Sequence, residues 1–457
     1  MFFQPYYLAC LAHASYMIGD GGEAVVVDPQ RDVDDYISDA AAAGLRIAHI
    51  IETHLHADFV SGHVELAERT GATIHVCHLA NAEYRHNPVR DGDEIHVGGL
   101  TLQILETPGH TPESISIVAY DEGAPAKLFS GDTLFIGEVG RPDLAGWRGH
   151  SRDEMALDMF RSLRDKILTL PDSVEVWPAH GAGSACGKSI SDERTSTLGR
   201  QKRENWGLRM VAEGDQAGFL RELTSGLPSI PAYFPHDVVT NRRGAASIDQ
   251  VTNVARALSA DEVEAEVTAG AVLLDTRSSD NFARGHIAGS INVPIEGKFA
   301  PWVGVAVASD ARLVLATDEG KQDEAVMRLT RIGYDKIAGW LNGSIRLWRA
   351  SGRPLFSFAQ VSGARLADRY QAGVSRPILD VRTSGEWLEG HIEGSIHIPL
   401  LELSARIEEV PFGPLTVVCG SGYRSSIACS LLARNGWTDL ENVDGGWTEL
   451  GPALARL

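Results

Sequence analysis

Residues 53–63 read THLHADFVSGH and come directly after the β-rich run Ile47–Thr53. His54, His56 and Asp58 therefore alternate along a loop that leaves a predicted strand. Other residues of metal-ligand type also stand at or just after predicted strand ends, beside Gly or Pro: His110 in TPGHT, Asp132 in SGDTLF and His180 in WPAH. A metal site needs ligands on short loops at one end of a rigid sheet. The pattern therefore predicts a metal centre.

A lone histidine would carry little weight, because the chain has 16 of them and some histidines only cap helices or fill cores. The ordered combination of HxHxD, GHT, GDT and a late histidine is much more specific than any one of these motifs. Short β-rich runs at Ala24–Val27 and Val174–Trp177 alternate with turns and helices. We therefore expect an α/β domain that carries the metal centre, followed up to residue 255 by mainly helical structure.

An internal repeat sets the architecture of the second half of the chain. Leu273–Pro294 (LLDTRSSDNFARGHIAGSINVP) and Ile378–Pro399 (ILDVRTSGEWLEGHIEGSIHIP) are identical at 11 of 22 positions with an offset of 105. RLTRIGY at Arg328–Tyr334 matches LLARNGW at Leu431–Trp437 with an offset of 103. Two α/β units of roughly 100 residues therefore stand in tandem. The expected domain limits are 1–255, 258–356 and 360–457.

The second copy contains CGSGYR at 419–424, between the predicted strand Leu415–Val418 and a helix. The N–H groups of such a loop, the helix N-terminus and Arg424 can stabilise a thiolate or a bound oxyanion. Cys419 is therefore predicted to be a nucleophile rather than a buried structural cysteine. Cys429 falls inside the following helix, where a role in the core is expected.

The first copy lacks this chemistry. At the offset of 103, Ala316 stands in place of Cys419 and Lys321 in place of Arg424, within the acidic loop ATDEGKQDE. A loop without a thiol offers no sulfur nucleophile. We therefore expect the first copy to be catalytically inactive and to serve as a spacer, a docking surface or a dimer contact.

Charge and cysteine content exclude several classes of function. Against 41 Lys and Arg stand 61 Asp and Glu, a net charge of −20, which argues against nucleic acid or an anionic membrane as a partner. Five scattered cysteines favour a reducing compartment, the cytoplasm, over a disulfide framework. No run approaches the roughly 18–20 apolar residues of a membrane span. The apolar N-terminus has no basic residue before Arg31 and is expected to form a strand pair rather than a signal peptide.

Residues 1–255 resemble the metallo-β-lactamase fold and, within it, the persulfide dioxygenases. The similarity rests on the stretches THLHADFVSGH, GDTLFIGEVGRPDL and PAHGAGSACGKSIS. It implies an αββα sandwich that holds one Fe(II) per chain, with zinc less expected. By motif position, the iron ligands implied by the resemblance are His54, His110 and Asp132.

The residue at position 59 bears on the number of metals. Hydrolases of the superfamily build a two-metal site on HxHxDH, whereas here Phe59 replaces the last histidine and cannot bind a metal. One site with two histidines and a carboxylate leaves positions open for dioxygen and substrate, as in non-haem Fe(II) oxygenases. A second set of residues either supports the ligands, which we favour, or holds a weaker second metal together with Asp132: His56, Asp58 and His180.

Three further residues near these motifs also have two interpretations. Arg141 and Asp143, in GRPDL, either brace their loop or face an anionic substrate, and bracing is favoured. Cys186, in HGAGSACGK, is either a small packed residue, which is favoured, or a sulfur relay near the iron.

Residues 360–457 resemble a rhodanese domain. Four residues separate Cys419 from Arg424, which fits the rhodanese loop rather than the longer phosphatase loop. Asp380 and Arg382 match the D-x-R pair of that family, which is expected to be structural. The first copy is then a pseudo-rhodanese, and the whole is an α/β multidomain chain that resembles bacterial persulfide dioxygenase–sulfurtransferase fusions.

The resemblance implies a coupled chemistry. A thiol persulfide of glutathione, coenzyme A or another bacterial thiol is oxidised by dioxygen to sulfite and thiol, and Cys419 transfers sulfur to form or use thiosulfate. Members are often dimers or tetramers. Two alternatives stay open. One is a glyoxalase II-type thioester hydrolase, which Phe59 and the rhodanese fusion disfavour. The other is a non-oxidative sulfur carrier or sensor, which the intact ligand triad disfavours.

Overall fold

A computed structural model describes residues 1–227, 229–373 and 376–455. The chain forms two units, one made of Met1–Ile248 with Thr330–Gly333 and the other of Asp249–Leu329 with Tyr334–Leu457. Among the described residues, no helix is both long enough and apolar enough to cross a bilayer. The domain limits expected from the sequence stay predictions, because this division into units does not separate the two repeats.

The first unit contains two six-stranded sheets. The strands of the first sheet are Phe2–Leu8 (β1), His13–Asp20 (β2), Glu23–Val27 (β3), Arg46–Glu52 (β4), Thr73–Cys77 (β5) and Asn87–Val89 (β6). Those of the second are Glu94–Val97 (β7), Leu100–Glu106 (β8), Ile115–Asp121 (β9), Ala124–Gly131 (β10), Glu175–Pro178 (β11) and Ser196–Thr197 (β12). The strand orders are β1-β2-β3-β4-β5-β6 and β12-β11-β10-β9-β8-β7.

Helices lie between these strands and after them in the chain. They are Asp34–Ala42 (α1), His63–Thr70 (α2), Arg152–Ser162 (α3), Leu198–Glu204 (α4), Trp206–Glu213 (α5), Gln216–Thr224 (α6), Phe234–Arg243 (α7) and Ile248–Thr252 (α8). Ser151 and Glu154 form a capping box that starts α3, since each satisfies a backbone N–H of the first turn.

Apolar side chains on alternating strand positions fill the space between the sheets. Ile18 and Val27 of the first sheet share one cluster with Ile104 and Phe129 of the second. Separate clusters join the first sheet to α1 and α2, and the second sheet to α3, α5 and α6. The four layers confirm the predicted αββα sandwich.

The second unit contains two five-stranded sheets. The strands of the first repeat are Arg256–Leu258 (β13), Val272–Asp275 (β14), Ile291–Asn292 (β15), Leu313–Ala316 (β16) and Ile337–Leu341 (β17). Those of the last repeat are Ala359–Ser362 (β18), Ile378–Asp380 (β19), Ile396–His397 (β20), Leu415–Val418 (β21) and Leu440–Asp444 (β22). Both sheets are parallel and share one topology, with orders β13-β17-β16-β14-β15 and β18-β22-β21-β19-β20.

Among its described residues, each repeat also has five α-helices. In the first repeat they are Ala260–Thr268 (α9), Ser279–Arg284 (α10), Phe299–Ala306 (α11), Gln322–Thr330 (α12) and Ser344–Ala350 (α13). In the last repeat they are Gly363–Gln371 (α14), Ser384–Leu388 (α15), Leu400–Leu403 (α16), Tyr423–Arg434 (α17) and Gly446–Ala455 (α18). The common strand order confirms that the internal sequence repeat is a repeat of one fold.

Candidate metal centre and cysteine loop

Three of the predicted ligands meet at one end of the two sheets. His54 follows β4, His110 lies between β8 and β9, and Asp132 follows β10. All three are only 1% exposed. His54 Nε2 and His110 Nε2 lie 3.7 and 3.3 Å from Asp132 Oδ2. These three ligand atoms are close enough together to contact one metal ion.

The hydrogen bonds of the two histidines determine which ring nitrogen is free. His110 Nδ1 lies 2.9 Å from the Arg141 carbonyl oxygen, so Nδ1–H donates and Nε2 keeps its lone pair. The Thr53 hydroxyl donates to Asp28 Oδ2 at 2.8 Å, and its oxygen therefore accepts from His54 Nδ1–H at 3.0 Å. Both imidazoles are held with Nε2 directed toward Asp132, which is how partners outside the coordination sphere orient ligands.

The cluster has the properties of a cation site. Although they are buried, His54 Nε2 and Asp132 Oδ2 have no hydrogen-bond partner among the described residues. Leaving such atoms unsatisfied costs about 1–3 kcal/mol each. Burial lowers the pKa of His54 and of His110, so both rings are neutral. Burial opposes ionisation of Asp132, but the charge and the hydrogen bond of His180 outweigh it and hold the pKa of Asp132 well below its usual range. Neutral imidazoles and a carboxylate are the forms that bind a metal.

A second group of possible ligands adjoins the first. His180 Nδ1 lies 2.7 Å from Asp132 Oδ1, and His180 Nε2 lies 2.9 Å from Asp58 Oδ2. Burial would lower the pKa of His180, but the charges of Asp132 and Asp58 raise it. His56, Asp58 and His180 place one ligand atom each within 4.8 Å of one another. The geometry therefore fits both interpretations of this group, because His180 hydrogen-bonds a candidate ligand and also lies in a possible second metal site.

Phe59 and His13 fill the space beside this second group. The Phe59 ring is 1% exposed and lies with its centroid 4.4 Å from that of His56 and 3.9 Å from that of His13. His13 is fully buried, 5.6 Å from the His180 ring, and neither of its nitrogens has a hydrogen-bond partner among the described residues. Sequence analysis missed His13 because it stands at the start of β2, far from every motif.

The loop that carries His56 is clamped from the helical extension. Asn241 of α7 donates from Nδ2 to the carbonyl oxygens of His56 and Phe59, both at 2.8 Å. Its Oδ1 accepts from the Ser61 N–H at 2.8 Å. A single buried amide thus satisfies three backbone groups of the loop, which fixes the spacing of its side chains.

Arg141 connects two loops near the centre. It donates to both carboxylate oxygens of Asp143 at 2.7 and 2.8 Å and to the Ala185 carbonyl at 3.1 Å. Gly140 has no room for a side chain, because a Cβ there would lie 1.9 Å from the Asp132 carbonyl oxygen. The stretch GRPDL is therefore packed closely against the Asp132 loop.

Cys186 lies beside the candidate metal ligands. It is fully buried, and its sulfur is within 4.8 Å of ligand atoms of Asp132 and His180. Burial raises the pKa of the Cys186 thiol, and the carboxylates of Asp58 and Asp132 raise it further. In this arrangement Cys186 is a neutral thiol.

The cysteine loop of the last repeat surrounds the sulfur with donors. Cys419 Sγ accepts from the Gly422 N–H at 3.1 Å and from the Ser425 hydroxyl at 3.3 Å. The Trp447 N–H donates to the Cys419 carbonyl at 2.7 Å and fixes the loop from behind. The Cys419 side chain is fully buried. Cys429 is also buried, inside α17, where burial raises its pKa.

Two arginines of the last repeat that the sequence motifs predict to matter, Arg424 and Arg382, are both paired. Arg424 binds both carboxylate oxygens of Glu386, at 2.6 and 2.7 Å, and this pairing lowers the pKa of Glu386 to about 2. Arg382 binds Asp380 at 2.6 Å and the Gly390 carbonyl at 2.8 Å in a buried position. Sequence analysis did not single out Glu386, which aligns with Asn281 of the first repeat and so carries no repeat signal.

Comparison with known proteins identifies the families to which these domains are similar. The Metallo-beta-lactamase superfamily profile matches residues 8–180, and the Rhodanese-like domain profile matches residues 259–351 and 362–451. The chain is 31% identical over 189 residues to "Persulfide dioxygenase ETHE1, mitochondrial" of Bos taurus, covering 40% of this chain and 68% of that protein. It is 42% identical over 100 residues to "Hydroxyacylglutathione hydrolase" of Rhodopseudomonas palustris, covering 21% of this chain and 38% of that protein.

A solved structure extends the likeness beyond the first unit. The metallo-beta-lactamase from Staphylococcus aureus subsp. aureus COL is 37% identical, with a TM-score of 0.66, and the match covers 75% of this chain and 98% of that one. The chain belongs to the metallo-beta-lactamase superfamily. Its N-terminal domain is followed by two rhodanese-like domains, which confirms the predicted order of folds.

Proposed function

We propose that the chain is an Fe(II)-dependent persulfide dioxygenase whose last repeat is a sulfurtransferase. The observation that carries the proposal is the cluster of His54, His110 and Asp132, with Phe59 where a two-metal hydrolase would have a histidine. Two imidazoles and one carboxylate leave coordination positions open, as oxygen chemistry at iron requires. The similarity to a named persulfide dioxygenase supports the same choice of substrate and reaction.

The residues of the first unit would hold and shield the iron. When bound, Fe(II) would supply the redox chemistry by which dioxygen and water convert a persulfide RSSH to sulfite and RSH. His54 and His110 present Nε2 because Thr53 and the Arg141 carbonyl accept their Nδ1 protons. Burial of the three ligands excludes bulk water, and His180 orients Asp132 through its 2.7 Å contact.

The last repeat would move sulfane sulfur through Cys419. The Cys419 thiolate attacks the outer sulfur of thiosulfate, a new S–S bond forms, and the S–S bond of thiosulfate breaks with its electron pair leaving on sulfite. The reverse reaction makes thiosulfate from sulfite. The Gly422 N–H and the Ser425 hydroxyl contact the sulfur and stabilise its negative charge.

Fusion of the two sites puts the producer and the consumer of sulfite on one chain. Sulfite released at the iron is an acceptor for the Cys419 persulfide, so tethering raises its effective concentration. All five cysteines are free, which supports a reducing, cytoplasmic setting for such chemistry. We propose a low-molecular-weight thiol persulfide and dioxygen as substrates, and a homo-oligomeric assembly.

A thioester hydrolase is the second candidate function. The group His56, Asp58 and His180 could hold a second metal, and the similarity to a hydroxyacylglutathione hydrolase favours this chemistry. A two-metal hydrolase generates hydroxide between its metals. Phe59 counts against this candidate because it removes one nitrogen ligand from the second site.

Dioxygen uptake separates the two candidates. Anaerobically purified, Fe(II)-loaded protein is mixed with glutathione persulfide in oxygenated buffer, and oxygen and sulfite are measured. We expect rapid uptake in the wild type and in Cys419→Ser, and none in Asp132→Ala. Hydrolysis of S-lactoylglutathione by zinc-loaded protein, without oxygen uptake in the iron-loaded form, would transfer the assignment to the hydrolase.

The coupling of the two sites has its own test. Asp132→Ala and Cys419→Ser each keep one site, so an equimolar mixture of the two variants contains both sites on different chains. At dilute concentration we expect the wild type to yield several-fold more thiosulfate from glutathione persulfide than the mixture does. Equal yields would show that the tether contributes nothing.

A further inference from the structure

The inactive repeat contacts the helix that follows the cysteine loop. β15, at the edge of the first repeat's sheet, packs against α17 of the last repeat. The Asn292 N–H donates to Ser430 Oγ at 3.0 Å, and the Ser426 hydroxyl donates to Asn292 Oδ1 at 2.8 Å. All three residues are buried, so water does not compete with these hydrogen bonds.

Asn292 is itself fixed by its own repeat. Its Nδ2 donates to the carbonyl oxygens of Asp275 and Arg277, both at 3.0 Å. Asp275 and Arg277 form the buried ion pair at the end of β14. The Asn292 side-chain oxygen that accepts from Ser426 is therefore fixed to the end of β14, and α17 is hydrogen-bonded to it.

Two more contacts hold the ends of α17. The Tyr423 hydroxyl, on the first residue of the helix, donates to the Pro294 carbonyl at 2.6 Å. Arg434, on the last residue, donates to the Gly289 carbonyl at 2.7 Å. The first repeat thus contacts α17 at its beginning, its middle and its end.

The arrangement is not reciprocal. The residue of the last repeat that aligns with Asn292 is His397, whose Nε2 lies 2.9 Å from the carbonyl oxygen of Arg382 in its own repeat. The His397 ring stacks on Trp387 of its own repeat, with ring centroids 4.5 Å apart, whereas Asn292 accepts a hydrogen bond from a helix of the other repeat. The hydrogen bonds between Asn292 and α17 therefore fix the repeat that has the cysteine, and the equivalent residue of that repeat makes no matching bond to the described residues of the first repeat.

The anchored turn of α17 also supplies the donors to the sulfur. Gly422, directly before Tyr423, and Ser425, directly before Ser426, contact Cys419 Sγ at 3.1 and 3.3 Å. Hydrogen bonds of this kind weaken steeply with small changes of distance and angle. A shift of the first helical turn would therefore move both donors away from the sulfur.

We propose that the cysteine-free repeat is a working part of the sulfurtransferase site, in which Asn292 and the Pro294 carbonyl position the first turn of α17 and hence the donors to Cys419. These are positioning residues, because they touch the helix and not the sulfur. The proposal rests on the proposed role of Cys419 in sulfur transfer. It assigns the first repeat a role that a spacer could not fill.

The test removes two hydroxyls from α17 without removing any of its apolar surface. Tyr423→Phe/Ser426→Ala loses the bonds to Pro294 and Asn292 and keeps every donor to Cys419. The matched control is Tyr370→Phe/Ser404→Ala, which removes the same two kinds of hydroxyl at exposed positions of the same repeat outside α17. Full-length proteins are compared by the pH–rate curve for iodoacetamide modification of Cys419, read by peptide mass spectrometry, and by thiosulfate:cyanide sulfurtransferase kinetics.

We expect the double variant to react about tenfold more slowly at pH 7, because displaced donors no longer stabilise the thiolate. Its pH–rate curve should lie below that of the wild type, kcat should fall and KM for thiosulfate should stay within about twofold, since the binding groups are intact. The control should match the wild type. Superimposed curves for the double variant and the wild type would overturn the proposal.

Two further measurements keep the outcome clear. If the double variant is misfolded by circular dichroism, Tyr423→Phe alone replaces it, with the same direction of change expected and a curve superimposed on that of the wild type again contradicting the proposal. If wild-type Cys419 reacts with iodoacetamide but thiosulfate is never turned over, the sulfurtransferase function fails. The positioning role is then decided by the modification curves alone.

Discussion

The two rhodanese-like repeats have the same strand order but differ in what their loops can do. Both keep a buried Asp–Arg pair after the second strand, Asp275–Arg277 in the first repeat and Asp380–Arg382 in the last. Only the last has Cys419, where the first has Ala316. The fold therefore depends on features that both repeats share, whereas the proposed sulfur chemistry depends on a few loop residues that can be lost without losing the fold.

The two loops also differ in how closely the start of the last helix of each repeat approaches the loop backbone. At Gly446 a Cβ would lie 2.4 Å from the Cys419 carbonyl oxygen. The first repeat has Ser344 in the same left-handed conformation, with φ of 54° against 53° for Gly446. The Ser344 hydroxyl donates to the Thr317 carbonyl at 2.6 Å, so this side chain occupies the space that the active loop needs.

The largest expected effect comes from the sulfur itself. Cys419→Ser should abolish thiosulfate:cyanide sulfurtransferase activity, a loss of at least about 10⁴-fold, because among the described residues no other thiol has such donors. Ala316→Cys should not restore activity in that background, since Glu319 and Gln322 align with Gly422 and Ser425. Activity in Cys419→Ser/Ala316→Cys above that of Cys419→Ser would show that the two loops differ only in their thiol.

The shared ion pair should matter for stability in both repeats. Asp275→Asn leaves Arg277 buried without its counter-charge, which costs about 3–5 kcal/mol. Asp380→Asn should cost about 1 kcal/mol less, because Arg382 also donates to the Glu386 carbonyl and faces the Trp447 ring at 4.1 Å. Hydrogen exchange measured on peptides of each sheet gives the local unfolding free energies. Equal losses would mean that the extra partners of Arg382 contribute nothing.

The close approach at Gly446 gives a smaller effect on activity. Gly446→Ser should slow sulfur transfer by about 100-fold, because the added Cβ displaces the Cys419 carbonyl and strains a left-handed position. The reverse change, Ser344→Gly, should leave transferase activity unchanged. Steady-state kinetics on both variants measure this difference. A Gly446→Ser variant with wild-type kcat would show that the Cys419 loop tolerates a side chain at this position, as the loop of the first repeat tolerates Ser344.

The family resemblance predicted the layered fold, and sequence patterns predicted the repeat and the candidate metal ligands that stand in local motifs. Strands were placed to within about one residue, as Leu415–Val418 and Glu175–Pro178 show, because short apolar runs between turn signals are specific. The contacts of His13 and Asn292 were not predictable in this way. Each lies far along the chain from the residues that it touches, and no spacing rule connects them.

The same limit applies to the states of the ligands. The motif identified His54 and His110, but the groups that orient them, Asp28 with Thr53 and the Arg141 carbonyl, come together only when β3, β4 and the GRPDL loop pack. Asp28 itself adopts a left-handed φ of 51°, which sequence cannot reveal for a residue other than glycine. Motifs therefore identify candidate ligands, and tertiary structure decides their protonation and direction.

The smallest expected effect concerns the Glu386–Arg424 pair, which the first repeat replaces with Asn281 and Lys321. The pKa of Glu386 is about 2 in the fold and about 4.5 in an unfolded chain, so the fold favours the charged form. This contribution is complete above pH about 4.5 and is lost as the pH falls toward about 2. Because the pair is partly exposed, Glu386→Gln should cost at most about 1 kcal/mol at pH 7. Urea denaturation of both proteins at pH 7, 5, 4 and 3 should show the difference in unfolding free energy shrinking below pH 5, whereas a difference independent of pH would mean that Glu386 acts by packing and not by charge.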